Sequence, residues 1–285
     1  MVNASALKRM AIRGGRILAL IYLSTLGSVY FLQEKLLFYP TDATAEALHS
    51  AQQNYGAEEI VIATDAGHIR GAFVSGDGEG PRPTVVYFGG NAENIWLRIE
   101  RFAWLREMGV NFAFCSYRSY DMSDGEPSAA AFLDDALALY DHLRTRPDVD
   151  ATGIIPWGFS LGTGPAVRIA AERPVKGVIL NAPYSRLSDA AAYHYPWLPV
   201  RAFFRHEIDS LARIPNVVAP IFIAHGNDDG VVPIELSRRL KAHAKAQVNY
   251  LAVDNLGHRS ILSHPDALAA VQNFLRGILA RAVAP

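Results

Sequence analysis

The stretch Pro156-Trp157-Gly158-Phe159-Ser160-Leu161-Gly162 carries the pattern Gly-x-Ser-x-Gly, and its flanks give that pattern weight. Before it, Thr152-Gly153-Ile154-Ile155 reads as a short buried strand. After it, residues 165–172 read as a helix. A serine between a strand and a helix occupies a tight turn that lifts its hydroxyl to the top of a sheet. Glycine at 158 and 162 leaves out side chains that would collide where strand and helix cross. A Gly/Ser-rich turn alone would explain the five letters; in this setting Ser160 is the candidate nucleophile.

On either side of this turn, strand-like and helix-like segments alternate. Residues 59–63 and 68–74 flank the turn Asp65-Ala66-Gly67 and read as a hairpin. Further strands are expected at 84–88, 111–116, 175–180, 220–224 and 248–253, and helices at 95–108, 127–144, 235–246 and 265–282. An antiparallel entry followed by β-α units predicts a mostly parallel, buried sheet with helices on both faces. Residues 182–214 break the rhythm with Tyr193-His194-Tyr195-Pro196-Trp197-Leu198-Pro199 and Phe203-Phe204. That insertion reads either as a surface helix pair or as a small cap, lined with apolar groups for an apolar substrate.

A serine hydroxyl is a weak nucleophile until a base, itself oriented by a third group, takes its proton. Strand 220–224 runs into His225-Gly226-Asn227-Asp228-Asp229, and strand 248–253 into Asp254-Asn255-Leu256-Gly257-His258. The acid is Asp228 or Asp229. The base is His258, since His225 ends a strand and His264 opens a helix, so both read as structural. The order Ser, Asp, His, each on the loop after a strand, is that of the α/β-hydrolases. Such loops lie at the carboxyl ends of parallel strands, where open α/β sheets place their sites. Charge building on a substrate oxygen calls for preorganised N–H donors. The N–H of Leu161 is one candidate, and the loop after Phe88 supplies the other.

With these motifs, the chain resembles the α/β-hydrolase-fold serine hydrolases over about residues 36–282. More narrowly it is similar to a membrane-anchored branch that includes protein depalmitoylases and monoacylglycerol or lysophospholipid lipases. Leu36-Leu37-Phe38-Tyr39-Pro40 matches the branch pattern Leu-Leu-x-x-Pro. Tyr87-Phe88-Gly89-Gly90-Asn91-Ala92 stands where an aromatic strand ends in His-Gly-Asn-Ala. Tyr117-Arg118-Ser119-Tyr120-Asp121-Met122-Ser123-Asp124-Gly125-Glu126-Pro127-Ser128 stands for Tyr-Arg-Gly-Tyr-Gly-x-Ser-x-Gly-x-Pro-Ser. Gly89 thus replaces a family histidine, and Ser119 and Asp121 replace glycines. The resemblance implies an α/β-hydrolase fold with a mostly parallel eight-stranded sheet and a small cap. It implies the catalytic residues Ser160, Asp229 and His258, the spacing His-Gly-x-x-Asp selecting Asp229 over Asp228. It also implies oxyanion donors at the N–H groups of Leu161 and Asn91. The implied substrate is an ester or thioester of an apolar acyl chain, lipids included; with no phosphate loop, His-Glu-x-x-His or calcium-loop motif, neither cofactor nor metal is expected. A peptidase of the same fold and a non-catalytic binding module stay open as other readings.

Composition sets the outer bounds. A chain of 285 residues, 50% of them hydrophobic, can bury a large single core. Lys plus Arg total 27 against 28 for Asp plus Glu, so no overall charge draws nucleic acid. The single cysteine, Cys115, cannot form an internal disulfide and reads as a buried strand thiol. Gly162-Thr163-Gly164 lacks the third glycine of a dinucleotide fingerprint. At the amino terminus, Lys8, Arg9, Arg13 and Arg16 precede the uncharged run 17–32, and charge returns at Glu34-Lys35. That run falls a little short of the roughly 20 residues of a spanning helix. Residues 1–33 read as a membrane anchor, a cleaved signal peptide or a packed helix, ahead of a catalytic domain over 34–285. For an anchor, the basic flank predicts a cytoplasmic amino terminus, with the domain beyond the cytoplasm. Cleavage would instead leave a secreted or periplasmic enzyme.

Overall fold

The computed structural model of the chain describes residues 4–281. Its centre is an eight-stranded sheet of β1 (Glu58–Thr64), β2 (Gly67–Val74), β3 (Arg82–Phe88), β4 (Asn111–Cys115), β5 (Val149–Phe159), β6 (Val178–Asn181), β7 (Ile221–Gly226) and β8 (Val248–Val253). The spatial order is β1-β2-β4-β3-β5-β6-β7-β8. β2 pairs antiparallel with β1 and β4, and the remaining pairs are parallel, as the hairpin and β-α reading predicts.

The central strands read as unbroken apolar runs because both faces of the sheet are covered. Successive residues of β3 serve opposite layers. Val86 and Phe88 belong to the layer that holds Phe132, Val167 and Leu240, whereas Val85 and Tyr87 belong to the layer of Phe102, Val271 and Phe274. Cys115 lies in the first layer, where burial pushes its thiol pKa up and keeps it protonated. The helices, in chain order, are α1 (Ala4–Phe31), α2 (Gln33–Leu37), α3 (Ala45–Tyr55), α4 (Trp104–Glu107), α5 (Ala129–Leu143), α6 (Thr163–Glu172), α7 (Leu187–His194), α8 (Val200–Phe203), α9 (Ser210–Arg213), α10 (Ile234–His243) and α11 (Pro265–Leu279). α5 opens on Ser128, whose hydroxyl accepts from the Ala131 N–H at 3.1 Å. Such a cap contributes about 1 kcal/mol. The helix expected to reach residue 282 ends at Leu279, and residue 282 lies outside the described residues.

One expected helix takes another form. Over 95–108 the chain forms a 3₁₀ helix, Trp96–Phe102, and then the short α4. The cause is a three-residue spacing of its buried side chains, Trp96, Ile99, Phe102 and Leu105. Three residues per turn keeps Trp96, Ile99 and Phe102 on one face, and Leu105 follows from α4. Gly109, at φ 68°, then turns the chain into β4.

The insertion 182–214 holds α7, α8 and α9 and rises beside α1 and α2. Within α1, Leu7–Phe31 is 25 residues long, basic at Lys8, Arg9, Arg13 and Arg16 and uncharged from residue 17 on, with none of it buried. At 1.5 Å per residue it is about 37 Å long, enough for a hydrocarbon layer of about 30 Å. The junction below it is tied to the insertion. Gln33, only 3% exposed, donates to the Phe203 carbonyl at 3.0 Å and accepts from the Arg205 N–H at 2.9 Å. Glu34 lies 3.1 Å from both Arg205 and His206.

Candidate active site

The turn after β5 explains its own sequence. Ser160 has φ 50°, a left-handed backbone that a non-glycine residue holds only under strain. A Cβ at Gly158 would stand 2.4 Å from the Gly162 carbonyl oxygen, and one at Gly162 would stand 2.0 Å from that of Phe88. Both clashes are with backbone, so neither glycine has a substitute. The Thr163 hydroxyl donates to the Ser160 carbonyl at 2.7 Å, and the Tyr184 hydroxyl to that of Leu161 at 3.1 Å. The turn is thereby held from both sides.

Three loops at the carboxyl ends of β5, β7 and β8 bring Ser160, Asp229 and His258 together. His258 Nε2 lies 2.9 Å from Ser160 Oγ, and His258 Nδ1 lies 2.6 Å from Asp229 Oδ2. The other oxygen, Asp229 Oδ1, accepts the N–H groups of Val231 and Val232, both at 2.8 Å. The Phe159 ring lies 5.0 Å from the His258 ring and backs it. Burial alone would raise the Asp229 carboxyl pKa. The bonds to His225 and His258, the His258 charge and the Val232 N–H outweigh it and hold the group well below the usual carboxylate range. Asp228 is exposed and engages its neighbours through backbone, so of the two aspartates it is Asp229 whose carboxylate meets His258.

The loop after β3 reaches the serine. A Cβ on Gly90 would stand 3.6 Å from Ser160 Cβ. Glu93 holds this loop, accepting from the Gly90 N–H and the Tyr87 hydroxyl, each at 2.9 Å. Tyr117 donates to the Gly89 carbonyl at 2.8 Å. The Asn91 amide is committed elsewhere. Its Oδ1 accepts from the Tyr39 N–H at 2.9 Å and the Tyr120 hydroxyl at 2.6 Å, and its Nδ2 donates to the Leu37 carbonyl at 2.6 Å. Only its backbone is left to face a substrate. Two stretches noticed separately in the sequence, 36–40 and 87–92, thus meet at one side chain.

Ser119 and Asp121, which stand where the resembled family pattern has glycine, both have positive φ, at 66° and 53°. The loop has kept the glycine backbone without the glycines. Asp121 offsets part of that cost with its carboxylate, which accepts from Thr41 at 2.9 Å and Ser116 at 2.6 Å. His225, which reads as structural from its place at the end of a strand, lies 3.1 Å from Asp229 Oδ2. Its place at the end of β7, two positions ahead of the acid loop, was the available signal. Among the described residues no cluster of His, Cys, Asp and Glu has the makings of a metal site.

A mostly parallel eight-stranded sheet, a strained serine after its fifth strand and an Asp-His pair on later loops define an α/β hydrolase. Comparison with known proteins agrees. No family model matches the chain. The uncharacterized protein Rv2307c of Mycobacterium tuberculosis is 31% identical over 264 residues, covering 91% of this chain and 94% of that protein. The lysophosphatidylserine lipase ABHD12 of Danio rerio is 28% identical over 224 residues, which are 68% of this chain and 58% of that lipase. Among solved structures, the Pyrococcus furiosus esterase Pf2001 superposes with a TM-score of 0.69 at 17% identity, over 86% of this chain and 98% of the esterase. The chain belongs to the α/β-hydrolase family of serine hydrolases.

Proposed function

We propose that the protein hydrolyses an ester or thioester of an apolar acyl chain through an acyl-enzyme on Ser160. The observation that carries this reading is the continuous chain Asp229–His258–Ser160, at 2.6 and 2.9 Å. His258 Nε2 takes the Ser160 proton as Oγ bonds to the carbonyl carbon. The carbonyl oxygen gains charge between the N–H groups of Leu161 and Asn91. The bond to the leaving oxygen or sulfur then breaks, and His258 delivers the proton to it. Water repeats the sequence on the acyl-enzyme, releasing the carboxylic acid and restoring Ser160. Asp229 stays ionised throughout and orients His258.

An apolar cavity of about 200 Å³ supports the acyl part of this reading. It lies between the amino-terminal helices and the insertion, lined by Val29, Leu36, Leu37, Trp197, Phe203 and Phe204 among others. Leu37 is the residue held by Asn91, so the cavity adjoins the candidate oxyanion loop. His194, at the end of α7, lies 2.8 Å from the carbonyl of Val231 in the acid loop, so the insertion also touches the site.

The reading includes membrane attachment through α1. Exposed apolar side chains run along it, Leu18 at 68% and Phe31 at 74%, which water would not stabilise. Tyr195 and Trp197 are half exposed beside its lower end, as side chains at a headgroup boundary are. The basic residues ahead of the apolar run favour a cytoplasmic amino terminus and a catalytic domain on the far side. A fluorophosphonate probe should label Ser160 in the wild type. A panel of acyl esters, thioesters and aminopeptidase substrates should show turnover of acyl esters or thioesters. Labelling without turnover of any acyl substrate would sink the proposal.

A further inference from the structure

The loop between β3 and the 3₁₀ helix over 96–102 carries a carboxylate that the proposed chemistry does not use. The Glu93 side chain is only 11% exposed. Its Oε2 accepts from the Gly90 N–H and the Tyr87 hydroxyl, and its Oε1 accepts from Arg101 at 3.1 Å. Tyr87 is fully buried near the end of β3, its ring 4.5 Å from that of Phe102, and Arg101 belongs to the 3₁₀ helix. One side chain thus ties the loop to the sheet on one side and to the following helix on the other. Charge-assisted bonds of this kind are the stronger ones, and the small exposure of Glu93 shields them from water.

Gly90 is the point where this loop meets the serine turn. A Cβ there would stand 2.9 Å from the Phe159 ring and 3.6 Å from Ser160 Cβ. The Glu93 N–H donates to the Gly90 carbonyl at 3.2 Å, closing a β-turn that holds Ala92 at φ 57°. A residue with a Cβ keeps that backbone only where its surroundings impose it. The Asn91 amide, bonded to Leu37, Tyr39 and Tyr120, grips the middle of the same turn. The Gly90–Asn91 peptide is therefore held from both ends. The Gly90 N–H is spent on Glu93, so the next amide, that of Asn91, is left to meet a substrate oxygen.

Gly89 fits the same arrangement. A Cβ at that position would stand 3.1 Å from Glu93 Oε2 and 3.1 Å from the Ile95 side chain. The carboxylate fills the space that a side chain at 89 would enter, so this glycine and this glutamate go together. Charge is balanced as well. A bare carboxylate beside a developing oxyanion would oppose it, and Arg101 offsets that charge.

We propose that Glu93 is the positioning residue of the oxyanion loop: its carboxylate takes the Gly90 N–H and thereby aims the Asn91 N–H at the substrate carbonyl oxygen. Glu93 acts through the loop and not on the reacting atoms. The inference rests on the hydrolase reading of Ser160. Removing one oxyanion donor costs about 10²–10³ in kcat, and a donor left in place but loosely aimed loses part of that.

The test uses full-length protein in neutral detergent micelles and a short-chain nitrophenyl ester, with active sites counted by fluorophosphonate labelling. Glu93→Ala is expected to lower kcat per labelled serine by about tenfold or more, with KM changed by less than about twofold. Glu93→Gln keeps an acceptor for the Gly90 N–H and should lose less. A trifluoromethyl ketone forms a hemiketal with Ser160 whose oxygen takes the oxyanion position, so its Ki should rise in parallel with the loss in kcat/KM. A merely structural role would lower the melt and the number of labelled serines without moving that Ki. An active wild type whose kcat per labelled serine and ketone Ki are unmoved in Glu93→Ala overturns the assignment, whatever the melt does. A wild type that turns over no acyl ester overturns the hydrolase reading, and this assignment with it.

Discussion

His225 Nε2 lies 3.1 Å from Asp229 Oδ2, the carboxylate oxygen that also meets His258 Nδ1. The His225 ring is fully buried, and the same Nε2 lies 2.8 Å from the Val232 carbonyl. Two acceptors facing one nitrogen assign the proton to Nε2. The acid of the proposed triad is therefore held by a second histidine behind it, on the strand that carries it.

From this arrangement we expect His225→Phe to lower kcat by about tenfold with little change in KM. The Nε2 proton, shared between the Val232 carbonyl and the Asp229 carboxylate, would be lost, and a tenfold effect corresponds to about 1.4 kcal/mol. Steady-state kinetics beside a thermal melt separate positioning from packing. An unchanged kcat in a less stable protein would make His225 a core residue only.

Removing Ser160 Oγ should abolish turnover of a short nitrophenyl ester while leaving the melt near that of the wild type. His258→Ala should come close to that loss, roughly 10⁴-fold or more, because triad members act as a unit. Asp229→Asn should cost orders of magnitude, though less. Asp228→Asn and His264→Ala should cost little, since Asp228 is exposed and His264 opens α11. Loss of activity in Asp228→Asn, with Asp229→Asn spared, would move the acid by one residue.

The depressed Asp229 pKa carries a sign for stability. Its folded-state value lies below the unfolded value of about 3.9, so the stabilisation is complete above that pH and is lost as pH falls toward the folded value. The melting-temperature gap between wild type and Asp229→Asn should therefore be flat above about pH 5 and narrow steadily below it. A gap that widens on acidification would contradict this assignment.

Trp197→Ala and Phe203→Ala, which remodel the apolar cavity, should shift preference toward different acyl lengths more than they lower stability. The check is a series of nitrophenyl esters of increasing chain length, run with thermal melts. An unaltered length profile with a large drop in melting temperature would leave the insertion a packing element.

Where the anchor ends is also testable. A chain beginning at Gln33 should stay folded and soluble and keep its activity on a water-soluble ester, because Gln33 and Glu34 pin the insertion. Activity on bilayer-embedded substrate should fall. A chain beginning at Lys35 lacks both contacts and should melt several degrees lower. Equal melts for the two chains would show that the Gln33 junction is dispensable.

Much of this protein was determined by local sequence. A strand before Gly-x-Ser-x-Gly, a helix after it, and Asp and His on later post-strand loops are short-range patterns set by backbone sterics and burial. They yield the sheet, its direction, Ser160 and His258 as candidates, and an acid narrowed to Asp228 or Asp229. The glycines at 158 and 162 were legible for the same reason, since their clashes arise within one turn and the neighbouring strand. Tertiary structure alone decided the rest. Asn91 bonds Leu37 and Tyr39 across more than 50 positions, and Gln33 bonds Phe203 and Arg205 across about 170. Such meetings have no local signature, because each side chain's partner is set by how the layers pack. The 3₁₀ helix over 96–102 marks the boundary between the two: its spacing of three was in the sequence, but only packing against the sheet made that spacing win over the α period.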